Sequence, residues 1–277
     1  MTGSPVAFVL GGGGLLGAGE AGMLRALLEA GVQPDLVVGT SVGAVNGAFV
    51  AADPTPAAAR RLADIWAALA ETGGVLTGSW TRRIGTAVRS RTHLHSSEPL
   101  RRLLAEHLPE RFEDLEVPFS CVAASVERAA EQWFDRGPLV EALLASCAVP
   151  GLLPPVRIGS EHFLDGGLVH SIPVGRAVAL GAATVYVLQV GRVDQPLAPP
   201  AQPWEVGLVA FEIARRHRFA AEMEALPEGV TVHVLPTGLD APRGLAQLRY
   251  SDARAVARRV EEAFTATAAY LDRLPER

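Results

Sequence analysis

Short apolar runs alternate with helix-like periodicity at the start of the chain. Val6–Leu10 is a continuous apolar run that ends at four glycines, as expected for a buried parallel strand. Apolar residues at helical spacing follow as far as Gly31, and a second apolar run begins at Leu36. A run of small residues after Gly43 fits a tightly packed helix. The order strand–helix–strand–helix predicts an α/β fold with a parallel sheet covered by helices on both faces.

The same patterns predict the remaining elements. The predicted strands are 119–125, 132–134, 185–190 and 230–235, and the predicted helices are 56–69, 100–108, 139–148, 204–226 and 252–274. Residues 157–164 lead into Asp165, and residues 195–203 form a proline-rich loop. We find no linker between two cores. The chain is therefore predicted to be a single domain over 1–277, with a core at 6–190 that residues 204–277 complete.

Composition and charge exclude several classes of protein. The 25 basic residues are all Arg, which excludes phosphate-loop NTPases, Schiff-base enzymes and Ser–Lys dyads, because each needs a Lys. A net charge of −5 argues against a general nucleic-acid binder. Two cysteines, Cys121 and Cys147, stand among apolar neighbours and suit neither a disulfide framework nor a zinc site. The sequence suggests no metal and no cofactor.

The sequence also predicts where the protein resides. No basic segment precedes the first apolar run, so we predict no signal peptide. No uninterrupted apolar run reaches the roughly 18 residues that a membrane-spanning helix needs. The expected location is the cytoplasm.

The first candidate for chemistry is the glycine-rich segment Gly11–Gly17. Gly12, Gly14 and Gly17 form G-x-G-x-x-G between a predicted strand and a predicted helix. Such a turn exposes backbone N–H groups at the positive end of a helix. It suits a dinucleotide pyrophosphate, another anion or the oxyanion of an acyl transition state, and a tight turn without a ligand is a further interpretation.

The second candidate is Gly39–Gly43, which reads G-x-S-x-G around Ser41. A sharp strand-to-helix turn projects the serine outward, and the flanking Gly39 and Gly43 remove Cβ atoms that would clash. A serine at this place could instead only cap the helix that follows.

The third candidate is Asp165, which is followed by Gly166 and Gly167. Alone, this tripeptide is an ordinary turn. It gains weight because a nucleophilic serine needs a base. The seven histidines offer other bases, but none stands in a distinctive motif.

In this order and spacing, the three motifs resemble the patatin-like phospholipase family over about Val6 to Val190. The segment Ala145–Val156 also resembles the block that precedes the family's catalytic Asp. The resemblance implies a three-layer α/β/α sandwich that hydrolyses fatty-acyl esters. It makes Ser41 the nucleophile and Asp165 its partner in a dyad without His. It places the oxyanion hole at the amides of Gly13 and Gly14 and their neighbours in the Gly12–Gly17 loop.

One position departs from the family pattern. Leu16 stands where the family usually has Arg or Lys. The amide donors do not depend on that cation, but an anionic head group becomes less favoured there. Neutral esters or lysolipids are then the better substrates to expect. A lipid or fatty-acyl ester is the partner that the resemblance implies.

Two further segments carry hypotheses of their own. Residues 73–97 mix arginines with apolar residues, which fits either a lid or transient contact with a membrane surface, or an ordinary solvated segment. The cluster Arg215–Arg218 is interpreted as the charged solvent face of a helix.

Three rival classes remain. A nucleotide-binding oxidoreductase would use Asp35, which however precedes the second strand instead of following it. An α/β-hydrolase would complete a triad with His217 or His233. A non-enzymatic lipid-binding or regulatory protein would keep the fold without the activity, although the intact Ser41 and Asp165 speak against it.

Overall fold

The apolar runs of the sequence become the strands of one sheet in a computed structural model, which describes residues 4–71, 95–190, 196–238 and 253–275. The strands are β1 (Val6–Leu10), β2 (Leu36–Thr40), β3 (Phe119–Ser125), β4 (Ala130–Phe134), β5 (Val156–Ile158), β6 (Glu161–Asp165), β7 (Thr184–Leu188) and β8 (Thr231–Val234). The helices are α1 (Ala18–Glu29), α2 (Val42–Ala52), α3 (Pro56–Glu71), α4 (Glu98–His107), α5 (Leu139–Ser146), α6 (Val174–Ala179), α7 (Pro203–Glu224) and α8 (Ala253–Leu271).

The sheet is parallel around its centre and antiparallel at one end. β1 pairs in parallel with β2 on one side and with β7 on the other. β3 and β8 extend this parallel set, so its spatial order is β3-β2-β1-β7-β8. β4, β5 and β6 are antiparallel additions at the β3 end. The predicted, mostly parallel α/β sheet is confirmed.

Helices cover both faces of the sheet because successive side chains of a strand point to opposite faces. In β1, Phe8 and Leu10 pack into a large core with α1, α2, α3, α5 and α8. Ala7 and Val9 pack on the other face with α6 and α7. The two layers of helices and the sheet between them are the predicted three-layer sandwich.

Two strands, β2 and β6, share one edge of β3, and this arrangement brings the residues of the site together. β4 pairs with Cys121–Ser125, so it occupies one edge of β3. β2 pairs with Phe119–Val122 and β6 with Ala123–Ser125, and both must therefore use the opposite edge. Since β2 runs parallel to β3 and β6 runs antiparallel to it, the carboxyl ends of β2 and β6 meet head to head.

Two details differ from the prediction. The apolar stretch after residue 173 divides into α6 and β7, with the turn at Gly181 between them, and the strand ends at Leu188. Residues 156–165 form a hairpin of β5 and β6 with Gly159 at positive φ in its turn.

The hypothesis of a lid at 73–97 stays a prediction, because residues 73–94 of that segment lie outside the described part of the chain.

No helix within the described ranges is long and apolar enough to span a bilayer.

Candidate active site

Ser41 lies in a strained turn between β2 and α2. Its backbone has φ 54° and ψ −125°, a conformation that residues with a side chain rarely adopt. The turn is so tight that a Cβ on Gly39 would lie 2.6 Å from the Gly43 carbonyl oxygen. A Cβ on Gly43 would lie 2.4 Å from the carbonyl oxygen of Leu10. The G-x-S-x-G pattern is therefore a steric requirement of this turn.

The Ser41 hydroxyl donates a hydrogen bond of 2.6 Å to Oδ2 of Asp165. Both residues are buried, with 7% of Ser41 and 4% of Asp165 exposed. Ser41 stands at the N-cap of α2 but makes no capping hydrogen bond with its side chain. The interpretation of Ser41 as only a helix cap is thus wrong, because its hydroxyl is directed to a carboxylate.

Asp165 reaches Ser41 because of the shared edge of β3. Thr40 at the end of β2 pairs with Val122, and Asp165 at the end of β6 pairs with the next residue, Ala123. The chain must then turn away at once, and a Cβ on Gly166 would lie 2.1 Å from the Val122 carbonyl oxygen. The N–H of Gly167 donates to Oδ1 of Asp165 at 2.7 Å and fixes the carboxylate plane.

A second serine, which is not among the predicted site residues, supports the turn. The Ser41 N–H donates to Oγ of Ser146 at 2.9 Å, at the end of α5. Ser146 is fully buried. Ser146 lies in the segment Ala145–Val156, which resembles the family's block before the catalytic Asp, but the sequence does not show which residue of that segment contacts the turn.

The glycine-rich loop lies against Ser41. The missing Cβ of Gly12 would be 3.5 Å from Cβ of Ser41, and that of Gly17 would meet Val42 at 2.3 Å. The Gly12 N–H already donates to the Ser171 carbonyl at 2.8 Å, so Gly12 is not a free donor for an oxyanion. In the described part of the chain, no hydrogen bond occupies the N–H groups of Gly13 and Gly14.

A buried polar network anchors the other end of the loop. The Asn46 amide donates to the carbonyl oxygen of Gly17 at 2.9 Å and to Oε2 of Glu20 at 2.7 Å. Trp66 donates to Oδ1 of Asn46 at 3.0 Å. Burial raises the pKa of Glu20 well above its ordinary value, although the hydrogen bond from Asn46 opposes the change. The network ties the loop to α2 and α3.

Burial changes the acidity of both titratable groups beside Ser41. It raises the pKa of Asp165 to about 6, although hydrogen bonds from Ser41 and Gly167 oppose the change. Burial, and after it the charge of Asp165, raises the pKa of Cys147 well above its ordinary value. Asp165 is thus a stronger base than an exposed carboxylate, and Cys147 is a neutral thiol.

We expect acyl transfer to follow the ionisation of Asp165. A base must be unprotonated, so kcat/KM should rise with pH and level off above about 6, the value for Asp165. At pH 5 the rate should be about tenfold below the plateau, since roughly a tenth of the carboxyl groups are ionised. The measurement is kcat/KM for a neutral p-nitrophenyl ester from pH 4.5 to 8.5. A profile that is flat between pH 5 and 8 would contradict it.

The candidate histidines lie elsewhere. His170 lies between two carboxylates. Its Nδ1 is 2.8 Å from Oε1 of Glu222, and its Nε2 contacts Oε2 of Glu131. Burial lowers the pKa of His170, but these two carboxylates outweigh burial and raise it. His233 contacts the Tyr270 hydroxyl at 3.0 Å. Among the described residues, no hydrogen bond joins a histidine to Ser41 or Asp165.

The cluster Arg215–Arg218 is not only a solvent face, contrary to the prediction. The Arg215 side chain is 5% exposed, and its guanidinium is directed toward the carbonyl oxygen of Gly12 in the glycine-rich loop. Periodicity did not reveal this, because three of the four neighbouring residues in the cluster are indeed partly or fully exposed.

The fold and the site together define an α/β/α protein with a serine turn, a carboxylate partner and a glycine-rich loop. The sequence model of the family described as "Patatin-like phospholipase" matches residues 8–178. The chain belongs to the patatin-like phospholipase family. The matched residues include all three motifs on which the resemblance rests.

The chain is also similar to individual proteins. Mouse patatin-like phospholipase domain-containing protein 7 is 31% identical over 198 residues, which are 70% of this chain and 14% of that protein. Lysophospholipase nte1 of Aspergillus terreus is 27% identical over 194 residues, which are 70% of this chain and 12% of that protein. The solved structure of VipD from Legionella pneumophila covers 97% of this chain and 67% of its own, with a TM-score of 0.49 and 16% identity.

Proposed function

We propose that the protein is a serine acyl hydrolase that cleaves fatty-acyl esters of lipids through a dyad of Ser41 and Asp165. The observation that carries this proposal is the 2.6 Å hydrogen bond from the Ser41 hydroxyl to a buried carboxylate whose pKa is raised to about 6. A carboxylate with an ordinary pKa of about 4 is a weak base for a serine. Burial of Asp165 removes part of that mismatch.

The first half of the reaction forms an acyl-enzyme. The Ser41 oxygen attacks the ester carbonyl carbon while its proton passes to Asp165. The carbonyl oxygen becomes an oxyanion, for which the N–H groups of Gly13 and Gly14 are the proposed donors; such a donor is worth roughly 10²–10³ in rate. When the intermediate collapses, the ester C–O bond breaks, and Asp165 returns the proton to the leaving alcohol.

The second half restores the enzyme. Water attacks the acyl-Ser41 carbonyl and gives one proton to Asp165. The bond to the Ser41 oxygen then breaks, the fatty acid leaves, and the proton returns to Ser41. Asp165 acts as base and then as acid in each half, so one carboxylate with a pKa near 6 serves both steps.

The substrate class rests on the relatives. Two of them carry the names lysophospholipase and patatin-like phospholipase domain-containing protein. The chain spans only about an eighth of the length of these curated relatives, since 12% and 14% of them are matched. We propose an acyl ester of a lipid with a neutral or lysolipid-like character, because no residue of the Gly11–Gly17 loop carries a charge.

A substrate panel tests the proposal. The purified protein is assayed on p-nitrophenyl esters of increasing chain length, on lysophosphatidylcholine and on phosphatidylcholine, and is labelled in parallel with a fluorophosphonate ester. Hydrolysis together with a covalent adduct at Ser41 is the expected result. A folded protein that neither hydrolyses nor takes the label would instead be a lipid-binding or regulatory member of the family.

A series of histidine variants separates the dyad from a His-containing triad. Each of the seven histidines is replaced singly by Gln, and each variant is expected to keep kcat for a p-nitrophenyl ester within about tenfold of wild type, because Asp165 is the direct base. Loss of a triad His would instead lower kcat by a factor of about 10⁴ or more. One such variant, folded by circular dichroism, is enough to overturn the dyad.

A further inference from the structure

Arg215 is a buried cation that reaches the glycine-rich loop from α7. Its Nε and Nη2 donate to the two carboxylate oxygens of Glu212, each at 2.8 Å. Its third nitrogen, Nη1, is directed at the carbonyl oxygen of Gly12 at 3.4 Å. A charged side chain is seldom buried without a strong partner, and here the fork binds one carboxylate and one backbone carbonyl. Gly12 and Arg215 are 203 residues apart in the sequence, so only the folded chain brings them into contact.

The carbonyl of Gly12 belongs to the same peptide group as the N–H of Gly13. In a trans peptide the C=O and the N–H point in opposite directions. A group that holds the carbonyl on one side therefore aims the Gly13 N–H toward the other side. Gly12 itself lies next to the nucleophile, with its missing Cβ 3.5 Å from Cβ of Ser41. The orientation of this peptide is thus fixed beside the Ser41 side chain.

The loop needs such an anchor because of its composition. Gly11 to Gly14 are four consecutive glycines, which rotate more freely than other residues. The N–H groups of Gly11 and Gly12 are fixed by the carbonyls of Leu188 and Ser171. The peptide between Gly12 and Gly13 is held instead through its carbonyl, by Arg215.

We propose that Arg215 is a positioning residue for the oxyanion hole: it orients the Gly12–Gly13 peptide so that the Gly13 N–H is ready for the oxyanion. At 3.4 Å the hydrogen bond is long, so most of its effect comes from the charge of the buried guanidinium. That charge also polarises the peptide and makes its N–H a better donor. This inference rests on the proposed function.

A structural role for the same residue makes a different prediction. If Arg215 only paired with Glu212 along the helix, its loss would affect stability and not the rate constant of the chemical step. Arg216 serves as the matched control, because it is the next residue on α7 and its Nε donates to the same Glu212 at 3.0 Å.

The experiment compares Arg215→Leu, Arg215→Lys and Arg216→Leu with wild type. The readouts are kcat and KM for a p-nitrophenyl ester, the rate of fluorophosphonate labelling, and Tm. For Arg215→Leu we expect kcat and the labelling rate to fall about 10- to 100-fold with KM within about threefold, since a misaimed donor loses part of the factor it supplies. Lysine should recover part of the loss through its charge, and Arg216→Leu should stay within about twofold of wild type.

A double variant, Glu212→Gln with Arg215→Met, keeps the test valid if Arg215→Leu fails to fold. It removes both charges of the Arg215–Glu212 pair together, so Glu212 does not lose its partner while keeping its charge. An active wild type beside a folded double variant with unchanged kcat would overturn the role of Arg215 alone. Equal losses in the Arg215 and Arg216 variants would also overturn it. A wild type without turnover and without labelling would overturn the proposed function, and this inference with it.

Discussion

Replacing Ser41 with Ala is expected to lower the turnover of an acyl ester by at least about 10³-fold, and Asp165→Asn should do the same. The Ser41 oxygen is the proposed attacking atom, and Asp165 is its hydrogen-bond partner at 2.6 Å. Asn keeps the shape of Asp165 and can still accept from the Gly167 N–H, but it cannot take a proton. The double variant should be no worse than the more damaged single variant, because the two side chains act as one unit.

The measurement is kcat on a p-nitrophenyl ester, with Tm as the check on folding. Ser120→Ala is the matched control: it also removes a buried hydroxyl, and Oγ of Ser120 makes no hydrogen bond within the described part of the chain. It should keep wild-type kcat. If Ser41→Ala kept more than a tenth of wild-type turnover, the assignment of the nucleophile would be wrong.

Gly43→Ala is expected to destabilise the protein by about 3 kcal/mol, the upper end of what overpacking costs, and to lower turnover sharply. Its new Cβ would lie 2.4 Å from the Leu10 carbonyl oxygen and 2.7 Å from that of Gly11. These are backbone atoms of β1 and the glycine-rich loop, so no side chain can rotate away to make room. Either α2 moves with Ser41, or the loop moves away from it.

Gly19→Ala tests whether the effect is steric. Gly19 is also a helical glycine, but the nearest atom to its new Cβ would be 3.7 Å away, an ordinary contact. Alanine should be neutral or slightly stabilising there. Thermal or urea unfolding measures both variants. Equal stabilities for the two would show that the turn tolerates a side chain.

Local sequence patterns were sufficient to predict most of the fold. The buried runs of β1 and β7 and the elements around the glycine motifs are encoded over a few neighbouring residues, so their periodicity and turn residues are visible in the chain. The turn at Ser41 is such a case, because its steric limits act within Gly39–Gly43. The α6 segment was missed because six residues are too few to show a helical period.

The parts that could not be predicted depend on contacts between distant segments. Nothing near Asp165 in the sequence tells that β6 shares an edge of β3 with β2, yet that arrangement brings the carboxylate to Ser41. Arg215 looked like one more charge on a helix surface until the fold placed it against Gly12. The raised pKa of Asp165 likewise follows from burial, which a single sequence does not report.

The place of β7 in the sheet has a practical consequence for the choice of a truncated form of this protein. The family match ends at residue 178, but β1 is paired along its whole length with Thr184–Leu188. A polypeptide cut at the end of the match would leave the central strand β1 with an unpaired, apolar edge. An exposed strand edge of this kind pairs readily with other chains and promotes aggregation. A minimal recombinant form should therefore extend at least through β8, which in turn shields β7.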